Sequence, residues 1–318
     1  MNQSANNSIY EDVRSSPVLW LWLLAVFIIP SVLCSFFLLF HFLGKRSLRQ
    51  AINNHIIIVV LILGLIYTLI DIGSSITYYR LNRMVWPKLP AFCFIWLLVD
   101  FGTYNTITVL LAWASFERHI LVFHHQLMNT HSKKIIFHYI PLFFLLIYMS
   151  PFYIIVVFFY PCENYWDYTW AICGVDGCYH SNLFLSYWEL YLHGIIPMML
   201  IAVFNITLLI RVLCHKRAVH QTIVWKKHRK MAIQLLSISA LYLSVNFPLF
   251  FITMLNLLGL MLNHPAFGKL SYFTNHVIMF LPFVTLGCLP EVWKKMKSIL
   301  PINTIQITPF PIQPNNNF

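Results

Sequence analysis

The sequence predicts an all-α membrane protein, a seven-transmembrane-helix bundle followed by a short amphipathic eighth helix. Three observations point there. The 318 residues are 59% hydrophobic and only 10% charged, with a mean hydropathy of +0.71, far outside soluble-domain usage. Apolar windows of about 20 residues, the length that crosses a bilayer, recur at 18–43, 55–79, 91–122, 135–160, 183–213, 231–260 and 268–289. Seven spans alternate their connecting segments between two faces, and one face collects 16 of the 21 Lys and Arg.

That asymmetry sets the expected orientation. Cytoplasmic loops retain Lys and Arg, so the N-terminus is expected outside the cell and the C-terminus in the cytoplasm of a multi-pass plasma-membrane protein. The formal net charge of +11 is then a topogenic signal with anionic lipid as its neighbour, and no nucleic-acid partner is expected.

Residues 1–17 form a short polar extracellular tail in which Asn2 and Asn6 begin glycosylation sequons. Residues 18–299 form the membrane domain with helix eight. The first span contains Pro30, an expected kink, and the second carries Asp71 in its outer half, expected to bridge to Ser74 or Tyr78 or to line a cavity. The third span organises the chain. Cys93, Asp100 and Arg118 are separated by 7 and 18 residues, so a straight helix at about 100° per residue brings all three to one face. Charges inside a membrane are costly and point into the bundle, which makes each a functional candidate.

The fourth span carries Pro141 and Pro151 and leads to an outer loop, 161–182, rich in aromatics and acids and free of Lys and Arg. Of the seven cysteines, Cys93, Cys162, Cys173 and Cys178 fall on the outer side, where disulfides form. Three pairings are open to them and the sequence does not choose. The position of Cys178 just before the fifth span favours Cys93–Cys178, with Cys162–Cys173 closing the local turn. Cys34, Cys214 and Cys288 are expected to be free. In the fifth span Glu189, His193 and Pro197 repeat every four residues, one helical stripe. The sixth carries Asn246 and Pro248, the seventh Asn275, His276 and Pro282. EVWKKMKSIL after Pro290 reads as a basic amphipathic helix on the inner membrane surface. Residues 300–318, rich in Pro and Asn, read as a disordered cytoplasmic tail.

At this point the pattern resembles the rhodopsin-like (class A) G-protein-coupled receptors. Cys93 and Arg118 stand 25 residues apart, ERH (Glu117, Arg118, His119) stands at the end of the third helix, and Pro197, Pro248 and Pro282 fit the proline positions of helices five to seven. The chain also departs from that pattern. Leu65 replaces the sodium-site acid, Asn246 stands near the usual tryptophan switch, and Leu281 and Thr285 break the seventh-helix motif. The sequence reads as a divergent orphan member.

The resemblance implies an extracellular ligand and a heterotrimeric G protein as partners. It implies that Glu117 holds Arg118 at rest and that Arg118 faces the G protein when active, with Pro248 and Pro282 shaping the movement. Asp100 stands where aminergic receptors hold an ammonium, and Trp96 one turn above also matches them. A carboxylate in an aromatic cavity favours a cation. Trp96, Asp100, Tyr104, Glu189, His193, Asn246 and Asn275 are therefore the candidate ligand-binding residues, and a cationic amine or basic peptide the expected ligand. The alternatives are a chemosensory receptor for other small molecules, or a seven-helix transporter or channel, for which no internal repeat is found. His228, in place of an acid, argues against an ion lock to Arg118. No catalytic constellation, cofactor motif or metal-ligand spacing appears. The protein is not expected to be an enzyme, and cofactors and metals are expected to be absent.

Overall fold

The computed structural model describes residues 17–123, 130–174, 177–218, 223–257 and 266–288, all inside the compact unit that ends at Cys288. The sequons at Asn2 and Asn6, helix eight and residues 300–318 lie outside the described residues. So do the side chains of Cys214, His228 and Asn275.

All regular structure among the described residues is helical. Helix α1 spans Pro17–Gly44, and one turn, Arg46–Arg49, leads to α2, which begins as Ile52–Tyr67 and continues to Arg80. Helix α3 starts at Pro90, a residue suited to a first turn because its missing N–H would have no partner there, and ends at Phe123. Helix α4 runs from His131 to Phe159. Helix α5 is capped by Asn182, whose side chain accepts from the N–H groups of Phe184 (3.0 Å) and Leu185 (3.3 Å), and extends to Ala218. Helices α6 (Ile223–Leu257) and α7 (Ala266–Gly287) complete the described set. Six of these, α1 to α6, are long and apolar enough to cross a membrane; in α7 the apolar described stretch is His276–Gly287.

The helices are not uniform. Wider π-helical turns interrupt α2 at Thr68–Ile72, α3 at Leu98–Thr103, α4 at Ile135–Tyr139 and Ile155–Phe159, and α5 at Glu189–Ile195. Such turns are rare and gather at functional sites. Here they hold Asp71, Asp100, His138, Glu189 and His193. The turn in α3 also changes the register between Cys93 and Arg118, so the single face expected of a straight helix is broken at Asp100.

Burial identifies the central rod. In the most apolar window of α3, 56% of the residues are buried, against 28% in α1 and 22% in α4. The outer faces of α1 and α4 instead present side chains such as Phe40 and Phe143, suited to lipid. Lipid gives no hydrophobic drive between helices, so close packing and polar contacts must hold them. Ser31 Oγ donates to the Met279 carbonyl (2.9 Å), joining α1 to α7, and Asn205 Nδ2 donates to Ser115 Oγ (3.2 Å), joining α5 to α3. Gly194 in α5 admits the ring of Phe250 from α6 so closely that a Cβ at 194 would lie 2.4 Å from it.

The expected disulfide pairing is corrected. The bridges are Cys93–Cys173 and Cys162–Cys178, each with a Cα–Cα separation of 5.9 Å. Ile172 and Cys173 adopt left-handed backbone angles (φ 53° and 57°), turning Cys173 onto the start of α3. The Cys178 N–H donates to Asn164 Oδ1 (2.8 Å), which holds Cys178 beside the Cys162 segment. This lid is also stitched downward: the Val85 N–H donates to the Tyr168 carbonyl (2.8 Å) and Tyr78 Oη to that of Thr169 (3.0 Å). Cys34 and Cys288 are free thiols, as expected.

Candidate functional site

Two polar networks occupy the lid half of the bundle. The first joins α2, α3 and α6. Trp96 Nε1 donates to Asp71 Oδ1 (2.6 Å), and both residues are about 1% exposed. Asp71 therefore takes an inter-helix partner on α3, not the expected Ser74 or Tyr78, which bond the carbonyls of Ile70 and Thr169. Below it, Tyr67 Oη donates to Asp100 Oδ1 (3.2 Å). Tyr104 Oη then donates to Asn246 Oδ1, and the hydroxyls of Thr108 and Tyr242 bond each other. The rings of Tyr67, Tyr104 and Tyr242 follow at centroid spacings of 6.0 and 5.9 Å. Asp100 and Tyr104 are half-buried, while Asn246 is fully buried.

The second network joins α3, α4, α5 and the lid. Glu189 Oε1 accepts from Asn105 Nδ2 (3.0 Å) and Tyr153 Oη (3.1 Å), and Asn105 also donates to Tyr153 (2.7 Å). His193 bonds Tyr153 through Nδ1 (3.1 Å) and Tyr148 through Nε2 (2.8 Å), while Trp188 Nε1 donates to Tyr148 (2.9 Å). His180 descends from the lid to place Nε2 3.0 Å from Glu189 Oε2. Asp100 and Glu189, expected to face one cavity, thus belong to separate networks that reach α2 and α5 respectively.

Between the networks and the far end lies an apolar seam lined by Ile57, Val60, Leu111, Ala114, Ile238 and Leu281. Beyond it stand Glu117 and Arg118, only 1% and 4% exposed. Arg118 is therefore enclosed by protein. The carboxyl of Glu117 meets His138 of α4, with Oε1 2.5 Å from Nδ1. His138 Nε2 lies 2.9 Å from His55 Nδ1, and His55 Nε2 lies 2.8 Å from the Arg49 carbonyl. His119 is half-buried, its ring 5.2 Å from that of Phe123 and 6.1 Å from that of Phe204. Pro248 and Pro282 lie inside α6 and α7. Asn275 lies on α7 beyond the described side chains.

The chain's residues 15–280 match the family model described as serpentine type 7TM GPCR chemoreceptor Srbc. The protein belongs to the serpentine chemoreceptors. This places it among G-protein-coupled receptors of a chemoreceptor family and makes it a multi-pass membrane protein, a coarser statement than the rhodopsin-like resemblance. The family is one of receptors and not of enzymes. No curated protein matches the chain. Among the described residues no group of three or more His, Cys, Asp and Glu could hold a metal ion.

Sequence reasoning missed Tyr67, Asn105, Tyr148, Tyr153, Tyr242, His55 and His138 in this chemoreceptor. Tyrosine and histidine inside apolar spans were the available signal, since a buried hydroxyl or imidazole requires a partner. Their side-chain partners sit 21 to 134 positions away in sequence, which local spacing does not reveal.

Proposed function

We propose that the protein is a plasma-membrane chemoreceptor of seven crossings that relays an extracellular small ligand to a heterotrimeric G protein. The observation that carries this reading is the pairing of ends on α3. Half-buried Asp100 and Tyr104 stand in a tyrosine ladder at the lid end, and enclosed Glu117 and Arg118 stand beyond an apolar seam at the other. The Lys and Arg asymmetry puts the lid outside and Arg118 inside. Asp100, Tyr104 and Asn246 then form one side of the ligand site, with Asn275 of α7 a further candidate from the sequence. Trp96, Glu189 and His193 brace it from their own hydrogen bonds. Glu117, Arg118 and His119 contact the G protein, as the rhodopsin-like resemblance implies. The basic sequence EVWKKMKSIL suits anionic lipid, and the sequons at Asn2 and Asn6 suit glycosylation.

A ligand would act by its differential affinity for two states of the bundle. Asp100 favours a cationic amine or a basic peptide. Internal partners for Asp71 and Glu189 favour, as second reading, a neutral small molecule recognised by the tyrosines and Asn246.

The test expresses the receptor with a second-messenger readout and screens amines, basic peptides and neutral organic molecules. The expected result is an amine response whose half-maximal concentration rises about tenfold or more in Asp100→Asn, with surface display unchanged. A neutral hit indifferent to Asp100→Asn selects the second reading. A ligand-driven transmembrane current without second messenger refutes the receptor reading.

A further inference from the structure

The chain Glu117–His138–His55–Arg49 has a direction. A carbonyl only accepts, so the 2.8 Å bond at Arg49 requires the proton on His55 Nε2. A neutral His55 then offers Nδ1 as an acceptor, and the 2.9 Å bond to His138 requires the proton on His138 Nε2. The remaining nitrogen, His138 Nδ1, faces the Glu117 carboxyl. That contact is attractive only if a proton lies between them, as a carboxylic acid donating to Nδ1 or as an imidazolium donating to a carboxylate. With all links made, the three side chains together hold three protons and no net charge. A carboxylate with two neutral imidazoles holds one fewer and must break a link.

From this count we propose that His138 and His55 are positioning residues for the Glu117–Arg118 pair. They take up the Glu117 carboxyl and give its proton a path to the end of the bundle, making the G-protein-facing triplet proton-gated. Glu117 and His138 are about 1% and 0% exposed, but His55 is half-exposed at the start of α2, where the path meets the boundary. The transfer balances. His55 Nε2 gives its proton to water, the His138 Nε2 proton moves to His55 Nδ1, and the shared proton stays on His138 Nδ1 beside a Glu117 carboxylate. One proton leaves, and only the His55–Arg49 link is lost. Proton loss therefore removes the His55 contact with the α1–α2 turn and leaves a negative charge next to Arg118.

The other titratable and charged groups on the packed elements are few. Arg118 adjoins Glu117. The Tyr139 ring lies 4.8 Å from that of His138 and 5.6 Å from that of His55. Arg49 sends its own side chain to the Leu43 carbonyl (3.2 Å). Lys45 and Arg46 share its turn, and Lys133 and Lys134 precede His138 on α4.

Two measurements on the full-length receptor in lipid nanodiscs test this. Nitrogen NMR of labelled histidines, assigned with His55→Gln and His138→Gln, reads the tautomers. The expected result is His55 protonated on Nε2 at low pH and on Nδ1 at high pH, with the change abolished by His138→Gln. A His55 without the Nε2 proton at low pH, or one indifferent to His138→Gln, overturns the proposal. The second measurement is guanine-nucleotide exchange on added G protein across the same pH range. Its pH dependence should be at least halved in either variant, and an unchanged profile overturns the link to Arg118. This arm rests on the receptor reading; exchange absent from wild type at every pH refutes that reading and the link to Arg118, whereas the NMR arm judges the relay by itself.

Discussion

Both ends of the receptor bury a glutamate in protein and meet it with histidine, yet they do so differently. At the lid end Glu189 is shared among Asn105 and Tyr153, donors from α3 and α4, and the nearby imidazole of His180 from the outer loop. At the Arg118 end Glu117 meets His138 at the head of a linear chain that ends on a backbone carbonyl. A branched network distributes the loss of one member, whereas a line fails wherever it is cut. The lid end is built to hold a shape and the Arg118 end to change a state.

Three experiments break or sharpen that contrast. The largest effect is expected at the lid bridge. Cys93→Ser removes a cross-link closing an 80-residue separation, which chain-entropy reasoning values at about 4 kcal/mol. Cell-surface display should fall severely, and Cys162→Ser, which opens a 16-residue separation, should be milder. Equal losses in flow cytometry would refute the ranking. Next comes a comparison of hydroxyls. Tyr153→Phe leaves Glu189, Asn105 and His193 each without one partner and should cost about 1–3 kcal/mol. Tyr67→Phe, which loses the bond to half-buried Asp100 and the contact with Asp71, should cost about 0.6 kcal/mol per bond, the average for such bonds in a membrane. Thermal unfolding of the detergent-solubilised receptor compares them.

The smallest effect belongs to Asp167 in the lid. The Thr169 hydroxyl (2.6 Å) and then its N–H (2.9 Å) hold the exposed carboxyl below its ordinary pKa. A lowered folded pKa contributes stability above the unfolded value, lost as pH falls through the folded one. Thr169→Val should therefore raise the Asp167 titration midpoint, followed by carboxyl NMR, and lower stability slightly near pH 7, a difference that vanishes once pH falls through the folded pKa.

What the sequence disclosed follows from range. Apolar runs, the Cys93–Arg118 spacing and the prolines are local patterns, and they predicted an all-helical membrane chain with α3 at its centre. The candidates Asp100, Glu189 and Arg118 were visible as charges in an apolar context. Their partners were not. A π-helical turn adds a residue to a helix without a composition signature, so a stripe drawn at 100° per residue does not carry past it. The lid pairing escaped for another reason. Four cysteines admit three arrangements, and the left-handed turn at Ile172–Cys173 that selects one is a tertiary feature.

The notch at Gly194 has a mechanical consequence. The Phe250 ring, two residues beyond Pro248, sits where a methyl group on residue 194 would collide with it. If α6 turns about its own axis, the ring must leave that socket, and α5 loses its tooth at the same moment. The two helices are thereby geared: neither can shift at this level without the other giving way.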